Sequence, residues 1–134
     1  MGRIFKEAVV AGAKTSVVRR VLIDNGAESS YLSPSLARRI GAKPTGNVVS
    51  VVGVGGQVIR SPEVRVDIVM PRTGCMGRIT AFLIPGERVG IGADALQAWS
   101  ADLHHRPTSD RISCPVRVAP VRTRRRSTRR PDRR

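Results

Sequence analysis

The feature that most constrains this chain is its supply of β-branched side chains. Val and Ile together number 27, against only 6 Leu. Two heavy substituents on Cβ restrict χ1 and fit a pleated sheet better than a helix. The 13 Gly and 9 Pro interrupt these residues at short intervals, so the strands are many and short. Residues 7–11, 17–24, 48–52, 57–60, 64–68 and 78–84 read as strands, and 112–118 as a last one. Val64-Arg65-Val66-Asp67-Ile68 alternates, with one buried face and one wet face. Val21-Leu22-Ile23 is apolar throughout, as a strand buried on both faces is. Only two helices are expected. Residues 34–40 have Ser33 as N-cap, Pro34 in the first turn and Gly41 as a stop. Residues 93–99 form the second. Six or seven strands with two short helices predict a small all-β barrel or sandwich.

The length, 134 residues, suits a single domain. The predicted organisation is a folded domain over 1–103, a linker with a terminal strand over 104–118, and a disordered Arg-rich tail over 119–134. The formal charge is +14, and residues 115–134 alone hold nine Arg and one Asp. From residue 123 onward the only apolar group is the Pro131 ring, so this stretch has nothing with which to build a core. Such an arm fits nucleic-acid contact. It equally fits a solubilising tail in an Arg-biased sequence, because Lys supplies only 3 of the 24 basic residues. Aromatic residues are 3% of the chain, too few for a base-stacking face. No apolar run approaches the roughly 18 residues of a membrane span. The N-terminus has no signal-peptide pattern, and a cytoplasmic location is the expectation. Cys75 and Cys114 are too few for a disulfide scaffold or a four-Cys zinc site, and both are expected as reduced, buried thiols. His104-His105 has no acidic or Cys residues at ligand spacing, so no metal site is expected.

Three local signals carry chemistry. The first is Leu22-Ile23-Asp24-Asn25-Gly26-Ala27. A carboxylate at the end of a buried strand is costly unless it is paired or functional, and Gly26 permits a sharp turn and close approach of another chain. The second is Gly53-Val54-Gly55-Gly56 between two strands, a hairpin tip nearly free of side chains. The third is Ile91-Gly92-Ala93-Asp94-Ala95-Leu96, an apolar residue and a glycine leading into a helix.

In this order and spacing, the three signals resemble the retropepsin-like aspartic proteases over roughly residues 5–100. Asp24, Gly26 and Ala27 match the family's Asp-Thr/Ser-Gly-Ala motif, residues 52–56 its Gly-rich flap, and residues 91–96 its late apolar-Gly segment. The resemblance implies a closed acid-protease-type barrel with a flap hairpin. It implies a homodimer in which Asp24 of each copy activates a water against a polypeptide substrate, without metal or organic cofactor. Asn25, Gly26 and Ala27 would complete the active-site loop, and Gly53, Val54, Gly55 and Gly56 would cover the substrate. Apolar pockets would involve Val52, Val54 and Ile84.

The chain departs from the family pattern twice. Asn25 stands where the family has Thr or Ser, whose hydroxyl links the two loops of the dimer; an amide both donates and accepts, with a different reach. Gly90 stands where the late motif has a second large apolar residue, a change expected to affect packing. Asp94 is expected to be structural, Glu28 solvated and Trp99 a packing residue. Two other readings stay open. One is a catalytically silent module of the same fold for dimerisation or peptide binding. The other is a nucleic-acid binder that uses the barrel as a scaffold.

Overall fold

A computed structural model describes residues 4–52, 55–86, 89–105 and 110–115. In chain order the elements are β1 (Ile4–Ala11), β2 (Thr15–Ile23), β3 (Tyr31–Leu32), α1 (Pro34–Ile40), β4 (Lys43–Val52), β5 (Val58–Val69), β6 (Met76–Leu83), β7 (Val89–Ile91), α2 (Ala93–Ala98), β8 (Asp102–His105) and β9 (Asp110–Ser113). Strands β1-β2-β7-β3-β6-β5 hydrogen-bond in that order, and β5 pairs back onto β1. The ring therefore closes as a six-stranded barrel, and closure removes the free edges an open sheet would expose. Strand β4 lies outside the ring on β5, while β8 and β9 form a separate two-stranded sheet. The all-β reading and the small closed barrel hold.

The alternating pattern sets which side chains fill the barrel. Along β5, Val64, Val66 and Ile68 point inward while Arg65, Asp67 and Val69 are exposed. Asp67 is wet, as its place in the pattern predicts, and sits 3.1 Å from Arg78 of β6. All three residues of Val21-Leu22-Ile23 are buried. Helix α1 closes one end of the core with Leu36, Ala37 and Ile40. Its caps follow the sequence: Ser33 Oγ accepts the Leu36 N–H, and Gly41 adopts the left-handed conformation at φ +64°.

The structure amends several expectations. Residues 57–60 and 64–68 belong to one continuous strand, β5. Pro62 is accommodated because it pairs with Val48 at an irregularity in β4, where a missing ladder N–H is tolerated. Residues 31–32, not read as a strand from the sequence, form β3 between β6 and β7. Strands β7 and β8 have no counterpart in the sequence reading. The cysteines are not free thiols: Cys75 and Cys114 form a disulfide with Cα atoms 4.9 Å apart, within the usual range. Hairpin β8–β9 packs on the barrel through Ile112, and Cys114 N–H donates to Thr73 O at 2.8 Å. That docking brings together two cysteines 39 positions apart. The strand expected over 112–118 is seen over Asp110–Ser113, and residues 116–118 and the tail lie outside the described residues.

Candidate active site

Strand β2 delivers Asp24 at its end. The residue is half-buried, while Asn25 and Gly26 are exposed. Residues 24–27 form a tight turn in which the Ala27 N–H donates to Asp24 O at 3.1 Å. The carboxylate Oδ1 accepts the Gly26 N–H at 3.2 Å. Asp24 therefore has one oxygen held by its own loop, a local arrangement that fixes side-chain direction.

The loop is held from behind by the late Gly92-Ala93-Asp94 segment. Asp24 N–H donates to Ile91 O at 2.8 Å, Ala93 N–H to Ala27 O at 2.7 Å, and Asp94 N–H to Glu28 O at 3.1 Å. Ser30 completes the lock. Fully buried, its Oγ donates to Asp94 Oδ1 at 2.9 Å and accepts the Gly92 N–H at 3.0 Å. Asp94 Oδ1 also accepts the Ala95 N–H at 2.7 Å, in the first turn of α2. Asp94 is thus a structural group at a helix start, where negative charge is favoured. Sequence reasoning missed Ser30, because its partners lie 62 and 64 positions away and nothing local marks it.

The glycines around the loop divide into two kinds. A Cβ on Gly92 would fall 2.5 Å from the Ser29 carbonyl, and one on Gly90 2.0 Å from the Tyr31 ring. Neither position has room for a side chain. The departure at Gly90 thereby finds its packing partner: the Tyr31 ring occupies the volume of the absent side chain. A Cβ on Gly26 would meet only Asp24 Oδ1, at an ordinary 3.4 Å. Nothing among the described residues forces glycine there.

Asn25 lies in the same open region. Its side-chain amide makes no hydrogen bond to any described residue. Asn25 lines a shallow groove of about 260 Å³ with Leu96 and Leu103.

The β4–β5 hairpin carries the second signal. Pairing runs to Val52↔Val58, and those two side chains are 69% and 66% exposed. Gly55 and Gly56 at its tip have φ of +91° and +85°, values that favour glycine. Gly53 and Val54 lie outside the described residues. No hydrogen bond joins the described tip residues to the Asp24 loop. Ile84 is half-buried, and its N–H donates to Leu32 O at 3.0 Å. At the foot of the hairpin, Glu63 Oε1 accepts from Thr45 Oγ1 at 2.7 Å and from Asn47 Nδ2 at 3.0 Å. These bonds, the Thr45 hydroxyl foremost, hold the Glu63 carboxyl below its ordinary range. Glu63 was not singled out from sequence either, since a bulge at residues 45–47 brings it to its partners.

The family model described as aspartyl protease matches residues 7–81 of the chain. No curated protein matches it.

Proposed function

Because the chain belongs to the aspartyl protease family, we propose that it is an aspartic endopeptidase whose active site forms between two copies. The observation that carries this reading is the half-buried Asp24 on a turn braced by the backbone of residues 91–94 and by Ser30. A nucleophile-activating group needs such a rigid support.

One chain supplies one such aspartate, and a two-fold axis supplies the second. The open side of Gly26 and the Asn25 amide, which has no hydrogen-bond partner among the described residues, favour this reading. A glycine that its own fold does not require fits a position where another backbone comes close. With the two Asp24 carboxyls adjacent, one proton is shared between them. The ionised member takes a proton from a water, whose oxygen attacks the peptide carbonyl carbon. The protonated member gives its proton to the carbonyl oxygen, forming a tetrahedral diol. Collapse breaks the C–N bond as the amine takes up a proton from the dyad. The tip of the β4–β5 hairpin, with Gly55 and Gly56, serves as the flap over an extended peptide, and closure excludes water. Exposed Val52 and Val58 offer apolar contacts to substrate side chains.

Asn25 supports a second reading, a dimeric peptide-binding module with little hydrolysis, since an amide replaces the usual hydroxyl. The two are separated by incubating an unstructured protein with the purified chain at mildly acidic pH. Cleavage that is blocked by a statine-type peptide and abolished in Asp24→Asn establishes the protease. A silent wild type that gains cleavage in Asn25→Thr establishes the module. Cleavage that persists in Asp24→Asn removes both.

A further inference from the structure

Arg72 sits in a backbone conformation that ordinary side chains rarely adopt, with φ of +65°. It follows Pro71 in a turn closed by Thr73 N–H to Met70 O, at 3.4 Å. That third turn position normally falls to Gly or Asn. The turn is rigid: Thr73 Oγ1 donates to Met70 O at 2.7 Å and accepts the Cys75 N–H at 2.9 Å. The neighbouring Cys114 is tied to it by a backbone hydrogen bond and a disulfide.

This turn forms one wall of a groove of about 710 Å³, with β1 and β9 as the others. Lys6, Arg72 and Arg111 line it, one cation from each wall, together with Thr73 and Ser113. None of the three cations has an ion-pair partner among the described residues. The one carboxylate in the lining, Glu7, has Arg19 at 3.9 Å as its ion-pair partner. Asp24 is not part of the groove. The sequence that follows, residues 115–134, adds nine Arg, and it leaves the described fold beside Ser113 and Cys114.

We propose that the Lys6–Arg72–Arg111 groove is a binding site for the phosphodiester backbone of a nucleic acid. Three cations on three separate elements, none with an ion-pair partner among the described residues, make the groove electrostatically complementary to a polyanion. An arginine kept where glycine is easier is consistent with a role outside the fold's own stability. The scarcity of aromatic residues makes the contact one to phosphates, not bases. The site stands apart from the proposed proteolysis, so either can fail without the other.

The test measures fluorescence anisotropy of a labelled mixed-sequence oligonucleotide with the full-length chain, between about 50 mM and 200 mM salt. Replacing Lys6, Arg72 and Arg111 by Gln should weaken binding about tenfold or more. It should also lower the slope of log affinity against log salt by about 2 to 3. Arg72→Gly is the sharper variant: glycine suits the turn, so the unfolding midpoint should hold or rise while affinity falls several-fold. Changing the nine tail arginines to Gln should weaken binding further. The proposal is overturned if the triple variant keeps wild-type affinity and slope. It is equally overturned if Arg38→Gln with Arg39→Gln, outside the groove, has the same effect. A triple variant that loses binding only to phosphatidylserine vesicles, and not to the oligonucleotide, also ends it.

Discussion

At the residue scale, the site depends on which glycines their own chain requires. Gly92→Ala drives a Cβ into the Ser29 backbone, which has no side-chain freedom with which to yield. It should cost at least the 1–3 kcal/mol, roughly, of ordinary overpacking. Denaturant unfolding of the variant would show a lower midpoint. Gly26→Ala meets nothing closer than 3.4 Å, so it should leave the unfolding midpoint of the single chain nearly unchanged. The same change should abolish dimer formation in sedimentation and remove cleavage. Wild-type dimerisation in Gly26→Ala would contradict the role assigned to that open face. Ser30→Ala leaves the Gly92 N–H unpaired in a buried position, at a cost of about 1–3 kcal/mol. The candidate loop of residues 24–27 could be picked out in the sequence because its residues are contiguous. Ser30 and the Gly90–Tyr31 fit could not: each is one half of a pair brought together only by the closed barrel.

At the element scale, local chemistry made α1 readable in the sequence, including both caps. Strands were readable wherever alternation or an apolar run marked them. Strand β3 was not, since two residues carry no period and it exists only because β6 and β7 flank it. Continuous β5 was hidden by Pro62, a normal strand breaker that is tolerated here only because β4 is irregular opposite it. The same irregularity creates the Glu63 clamp at the foot of the hairpin. Folding lowers the Glu63 pKa from an ordinary 4.5. The clamp's stabilisation is therefore fully present above that value and is lost as pH falls through the lower folded value. Glu63→Gln should destabilise the hairpin at neutral pH and make little difference in strong acid. Hydrogen exchange of the β4–β5 amides at the two pH values reads this directly, and a Gln effect independent of pH would exclude the clamp.

At the scale of the whole molecule, closure of β5 onto β1 leaves the Asp24 turn braced from inside the chain and open outward. The disulfide adds a second long-range tie, between the turn before β6 and the residue that follows β9. It spans 39 positions, and loop-closure entropy for that length gives a stabilisation of about 4 kcal/mol at most. Reduction should lower the thermal midpoint by several degrees, and an unchanged midpoint would show the hairpin already held by packing. Composition alone put the cysteines down as thiols, because spacing along a chain does not reveal which ends a barrel brings together. The proposed catalytic site is shared by two copies of Asp24. Its most direct test is to mix wild-type protein with an excess of Asp24→Asn, allow subunits to exchange, and follow cleavage of an unstructured protein. Activity should fall as the inactive subunits are added, because mixed dimers carry one aspartate. Activity that stays constant at a fixed wild-type concentration would contradict the shared site.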